Sequence, residues 1–67
     1  MSAKYRLLDD RFDHRAGTVV YPYKGHDYGL ARDDSIATGV EHTSVTTKED
    51  GSHPFFTVPC DLLEETK

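Results

Sequence analysis

Apolar and polar side chains alternate from the start of the chain. Within residues 4–8, Tyr5 and Leu7 fall on one side and Lys4 and Arg6 on the other, which is the period of a half-buried strand. Residues 9–17, DDRFDHRAG, are polar around a single Phe12 and end in an Ala-Gly turn signal; Phe12 is expected to pin this loop to the core. TVVYPY, residues 18–23, is the strongest strand signal, because valine and tyrosine favour a pleated surface. Alternation sets Tyr21 and Tyr23 on the face of Val19 and leaves Val20 on the other. Pro22 has no N–H to give a ladder, so the strand should reach an edge or end near that residue.

Residues 24–39 follow neither period, being interrupted by three glycines and by Asp33-Asp34. They are expected to form a long, structured loop with at most one short strand around residues 28–31. Here PYKGHDYGLARDD, residues 22–34, gathers two tyrosines, two glycines and three aspartates; Tyr28 and Leu30 should anchor it while the aspartates are displayed outward. EHTSVTT, residues 41–47, reads as a β-branched strand, and KEDG as the turn that follows it, with Gly51 supplying a positive φ. PFFTVP, residues 54–59, returns as a strand delimited by its two prolines. Residues 60–65 suit one helical turn with Leu62 and Leu63 inward and the acidic side chains in water, too short for an independent helix.

These elements predict one all-β domain over residues 1–67: a small antiparallel barrel of four or five strands with a short C-terminal helical turn, closure limiting its exposed edges. The order KYRLL, a loop closed by AG, TVVYPY, a hairpin through KEDG, then FFTVP and CDLLEE resembles an SH3-like barrel over most of the chain. In that family the last long strand commonly runs through a proline into a single helical turn and a short final strand, and VPCDLLEE is similar to that pattern. The family's peptide-binding members carry a tryptophan at the ligand groove; this chain has none, so recognition of proline-rich peptides is not implied. The chain also resembles the small acidic accessory proteins of bacteriophages, many of which bind a host protein. That resemblance implies a counter-defence or host-takeover role.

Size and charge narrow the function classes. A chain of 67 residues buries only ~60% of the surface its unfolded form exposes, so self-association would add stability. The single Cys60 forms no internal disulfide, no Cys/His set has zinc spacing, and a lone thiol fits a reducing compartment. Mean hydropathy is -0.66; no ~18-residue apolar run exists for a membrane span, and residues 1–6 resemble no apolar signal segment, so a cytoplasmic location is expected. The net charge of -4 is uneven: residues 27–65 hold nine acidic and two basic groups. Such a surface disfavours direct contact with nucleic-acid phosphates and suits a basic protein partner.

The chemistry-bearing residues point the same way. His14, His26, His42 and His53 show no ligand spacing, so neither metal nor cofactor is expected; Asp27, Asp33, Asp34 and Glu41 would surround a cation only if the 24–39 loop folded back on itself. Cys60 behind Pro59 reads as a small buried hydrophobe before it reads as a nucleophile. KGHDYG lacks the Lys-Ser/Thr and the following helix of a phosphate cradle. With so little chain to wall a pocket, the expectation is a non-enzymatic binding protein acting through a tyrosine and aspartate surface: Tyr21, Tyr23, Asp27, Tyr28, Asp33 and Asp34, with Phe55 or Phe56 alongside. The alternative is a small-ligand or nucleotide binder at a homodimer interface, where aromatics stack on the ligand and Arg11, Arg15, Lys24 or Arg32 neutralises it.

Overall fold

The computed structural model describes residues 3–66. The elements are β1 (Tyr5–Leu7), β2 (Val19–Pro22), α1 (Leu30–Thr38), β3 (His42–Thr46), β4 (Phe55–Pro59), a 3-10 turn (Cys60–Leu62) and β5 (Leu63–Glu65). The strands form one antiparallel sheet in the order β4-β3-β2-β1-β5. The chain is thus sheet-dominated, as the alternation predicts. The C-terminal turn is shorter than expected, because Leu63 leaves it to pair with Leu7 in β5.

Register explains the core. Tyr5 pairs with Val20, Leu7 with Leu63, Thr43 with Val58 and Val45 with Phe56, so each of the five strands contributes apolar side chains to one shared face. Leu7, Val20, Val45 and Val58 are fully buried there, with Tyr5, Phe56, Leu62 and Leu63 packed against them. Each full burial is worth roughly 1.5–3 kcal/mol. The opposite face is polar where β3 meets β4: Ser44 lies across from Thr57, and His42 from Pro59.

Residues 24–39 are corrected in kind. In place of one long structured loop with a short strand near residue 28, only residues 24–29 are loop, and Leu30–Thr38 is an α-helix lying on the polar face of β3 and β4. It was invisible to periodicity because the positions facing the sheet are small or polar. Ala31 is the helix's one buried residue. Ser35 Oγ donates to Ala31 O (2.8 Å) and accepts the His42 N–H (2.8 Å). The Asp34 carboxylate accepts a hydrogen bond from the Thr57 hydroxyl. Leu30 and Ile36 meanwhile point to solvent, so the hydrophobic stripe that flags a helix is turned away from the core. Gly39, at φ 75, ends the helix and gives its N–H to Ser35 O, the left-handed cap that glycine adopts without Cβ strain.

The loop between β1 and β2 also departs from expectation. It is fastened at its base by Leu7 N–H to Thr18 O (3.0 Å) and Gly17 N–H to Leu7 O (2.8 Å), and higher up by reciprocal bonds between Arg11 and His14 (2.8 and 2.9 Å). His14, lying flat on Phe56 at 4.2 Å, is the residue that ties the loop to the core. Phe12 is 68% exposed and touches only the edge of Phe56, at 6.2 Å between centroids.

The turn after β3 is as predicted, with Gly51 at φ 80 and its N–H on Lys48 O (3.0 Å). A Cβ on Gly51 would stand 2.6 Å from the Lys24 side chain and 3.1 Å from Pro22 O. Gly51→Ala should therefore lower stability by about 1–2 kcal/mol from the left-handed backbone alone, read as a reduced urea midpoint with an unchanged slope.

Candidate functional site

Three side-chain bonds dock α1 on the sheet, and they use two of the aspartates expected at the surface. Asp27, just ahead of the helix, accepts the Ser44 hydroxyl at 2.7 Å and the Gly29 N–H at 3.0 Å. The hydrogen bond from Ser44, then that from Gly29, hold the Asp27 carboxyl below the ordinary carboxylate range. Asp34 is bound to Thr57, and Ser35 to the backbone of His42. Thr57 is clamped from its other side too, since Arg11 Nε donates to its carbonyl at 3.0 Å. The β1–β2 loop and α1 therefore meet at the outer strand β4 from opposite faces of the sheet.

The six sequence-derived candidates separate accordingly. Asp27 and Asp34 face inward as hydrogen-bond acceptors, whereas Asp33 is exposed on the helix. Tyr21 is half-buried on β2. Tyr23 stacks on Phe55 with 4.1 Å between centroids and an 11° tilt, beside His53. Tyr28 and Leu30, expected as anchors, are 79% and 47% exposed. Phe55 and Phe56 are both half-buried on opposite faces, one against Tyr23 and the other against His14.

Tyr28 has a counterpart that the sequence reading missed. Among the described residues, the non-glycine positions at positive φ are Phe12 (56°) and Tyr28 (57°). Both are aromatic and both project into water. Arg11 places its guanidinium 4.5 Å from the Phe12 ring centre, and His26 meets Tyr28 edge-on at 4.5 Å. The left-handed region costs an L-residue roughly 1–2 kcal/mol, and neither ring recovers this by burial within its own chain. No local pattern marks such a residue in advance, since Asp13 and Gly29 behind them are ordinary turn formers.

Open depressions mark the surface of the described residues. One of about 230 Å³ is walled by Phe12, His14, Phe55 and Phe56 with Asp13. A furrow of about 720 Å³ runs along α1 past Arg32, Ile36, Val40 and Glu41. A groove of about 430 Å³ lies between Tyr5, Val45, Leu63 and Cys60. Burial, with Glu41 and Asp61 nearby, pushes the Cys60 thiol up, the reverse of what activates a thiolate. Among the described residues no three His, Cys, Asp or Glu side chains gather as a metal site, and no helix is long and apolar enough to cross a membrane. Compared with protein-family models, curated proteins and solved structures, the chain matches none.

Two outcomes follow from the docking bonds. Asp34→Ala leaves the buried Thr57 hydroxyl without its acceptor and should cost about 1–3 kcal/mol, while Asp33→Ala stays within about 0.5 kcal/mol; urea unfolding of the two variants checks this. Because the native Asp27 pKa is depressed, its contribution is complete above the unfolded carboxylate value of about 4 and disappears as pH falls through the lower native value. Asp27→Asn should therefore lose less stability than the parent chain between pH 7 and pH 2.5, measured as the difference in urea midpoints.

Proposed function

We propose that the chain is a non-enzymatic binding protein that engages a protein partner through exposed aromatics held on left-handed backbone, Tyr28 beside the Asp33-bearing helix and Phe12 on the β1–β2 loop. The observation that carries this reading is the pair of exposed aromatics on left-handed backbone. Such strain, left uncompensated inside a fold, is characteristic of places where a side chain is held out for contact, and aromatic anchors dominate binding energy at protein interfaces. Charge on the α1 side suits a basic partner, since the carboxylates of Asp33 and Glu41 are exposed there while Asp27 and Asp34 are engaged in hydrogen bonds to the sheet. Electrostatic attraction of this kind raises association rate and selectivity more than affinity.

The β4-β3-β2-β1-β5 order, with a 3-10 turn between β4 and β5, supports an SH3-like reading of the sheet. Without a tryptophan, the exposed aromatics at positions 12 and 28 are the candidate contact residues. Blocking or redirecting a host protein in a reducing cytoplasm, as small acidic phage proteins do, is the role this reading favours.

Affinity capture from a host lysate, with Phe12→Ala and Tyr28→Ala as folded comparators, tests the surface. A specific partner retained by the parent should bind each variant at least ~10-fold more weakly, the loss of one anchor of about 1.4 kcal/mol or more. Melting temperatures should stay unchanged or rise slightly. Equal retention by all three would exclude this surface.

A further inference from the structure

The furrow along α1 is bordered by hydrogen-bond acceptors with capacity to spare, and we infer that it receives the guanidinium of an arginine side chain carried by the protein partner. This rests on the reading of a basic partner given above, and it names the group that such a partner presents.

His42 carries the inference. It is only 8% exposed, at the start of β3, and its side chain borders the furrow. Its Nδ1 stands 2.7 Å from Val40 O. A carbonyl only accepts, so the proton of the neutral ring sits on Nδ1 and Nε2 keeps an open lone pair. Nε2 has no hydrogen-bond partner, and among the described residues no sealed side-chain nitrogen or oxygen lacks one; Nε2 therefore opens outward where the ring borders the furrow. An imidazole held this deeply, with one nitrogen fixed by backbone, offers the other as an acceptor in a set direction.

Two carboxylates share the furrow with it, those of Asp27 and Glu41. Asp27 accepts from the Ser44 hydroxyl and the Gly29 N–H; these bonds keep it ionised and use two of the roughly four acceptor positions of a carboxylate. Glu41 is exposed, and its backbone oxygen alone is engaged, by the Cys60 N–H. Arg32 is the opposing charge on the furrow, yet it pairs with neither carboxylate: the ion pairs among the described residues are Arg6–Glu64 and His14–Asp13. Negative charge and acceptors are thus in excess. An anion would be repelled, and a wholly apolar occupant would cover Nε2 and the carboxylates without giving them a donor.

The spread of these acceptors selects the kind of cation. Asp27, Glu41 and His42 do not gather closely enough to hold a metal ion, and a lysine ammonium is likewise a compact, strongly hydrated point charge. A guanidinium is flat, wider and more weakly hydrated, with five N–H donors in a fixed fork, so it can serve acceptors that stand apart. Ile36, 72% exposed, and Val40, 40% exposed, border the same furrow and supply apolar surface for the methylene stem of such a side chain.

Titration of the full chain with Nα-acetyl-arginine amide, followed by NMR of the His42 imidazole nitrogens, provides the test. The Nε2 signal is expected to move and saturate with a dissociation constant of roughly 1–10 mM. The lysine analogue should bind at least ~10-fold more weakly, and the uncharged citrulline analogue should not saturate. Glu41→Gln, at an exposed position, should weaken the arginine probe with an unaltered circular dichroism spectrum, whereas Phe12→Ala and Tyr28→Ala should leave it unchanged. A His42 signal that does not respond to the arginine probe overturns the inference, as does an equal response to the lysine or citrulline analogue. Lysate capture that is lost in Phe12→Ala but undiminished in Glu41→Gln would keep the aromatic surface and overturn the furrow. A saturating arginine response in a chain that retains no lysate partner would uphold the furrow and count against the aromatic surface alone.

Discussion

The attachment of α1 to the sheet by hydrogen bonds is the constraint on which the rest of this structure depends. Each of the five short strands gives apolar side chains to one face, and these are consumed in building a core around Leu7, Val20, Val45 and Val58. The other face of β3 and β4 carries His42, Ser44 and Thr57 where α1 lies, with Thr46 and Phe55 further along. An element laid on that face must satisfy buried polar groups before it gains anything from packing. Asp27, Asp34 and Ser35 meet that demand, and only Ala31 is small and apolar enough to be buried between them.

This arrangement inverts the usual amphipathic helix. Because carboxylates and a hydroxyl face inward, the isoleucine and leucine of α1 have no core to enter. They become surface, together with Tyr28 at the helix entry. The same economy operates at the β1–β2 loop, where His14 takes the place over Phe56 and leaves Phe12 outside. A small fold has few interior positions, and here residues with polar atoms occupy several of them while larger apolar groups stand in water. Those outward groups give the molecule its proposed contacts, through aromatics held on strained backbone.

Thr57 joins the two halves of this design. Its hydroxyl is held by α1 through Asp34 and its carbonyl by the β1–β2 loop through Arg11. The outer strand β4 is thereby braced from both faces, and the segments carrying Phe12 and Tyr28 are referred to one rigid element. Exposed side chains bind well only when their backbone does not move on contact. The brace supplies that rigidity without extending the core.

How much of this could be read from the chain depends on the kind of force that shaped each part. The strands were legible: Tyr5 and Leu7 against Lys4 and Arg6, Val20 against Val19 and Tyr21, and the Gly51 turn all follow from local alternation and backbone preference. The surface was legible in part, since Tyr28 and Asp33 are exposed, whereas Asp27 and Asp34 are only partly exposed and are committed to hydrogen bonds with Ser44 and Thr57. The helix was not legible. Its inward contacts are hydrogen bonds to residues 23 positions away in the case of Asp34 and Thr57, and no periodicity within residues 30–38 encodes them.

The amino-acid order by itself thus determined a short antiparallel sheet, its turns and an acidic second half, because these rest on spacing, propensity and charge that neighbours in sequence share. Tertiary structure alone decided that residues 30–38 coil, that two aspartates face inward, and that Phe12 and Ile36 face out. Each of those outcomes is a competition for a limited interior, and its winners are set by which distant partner can satisfy a buried donor or acceptor.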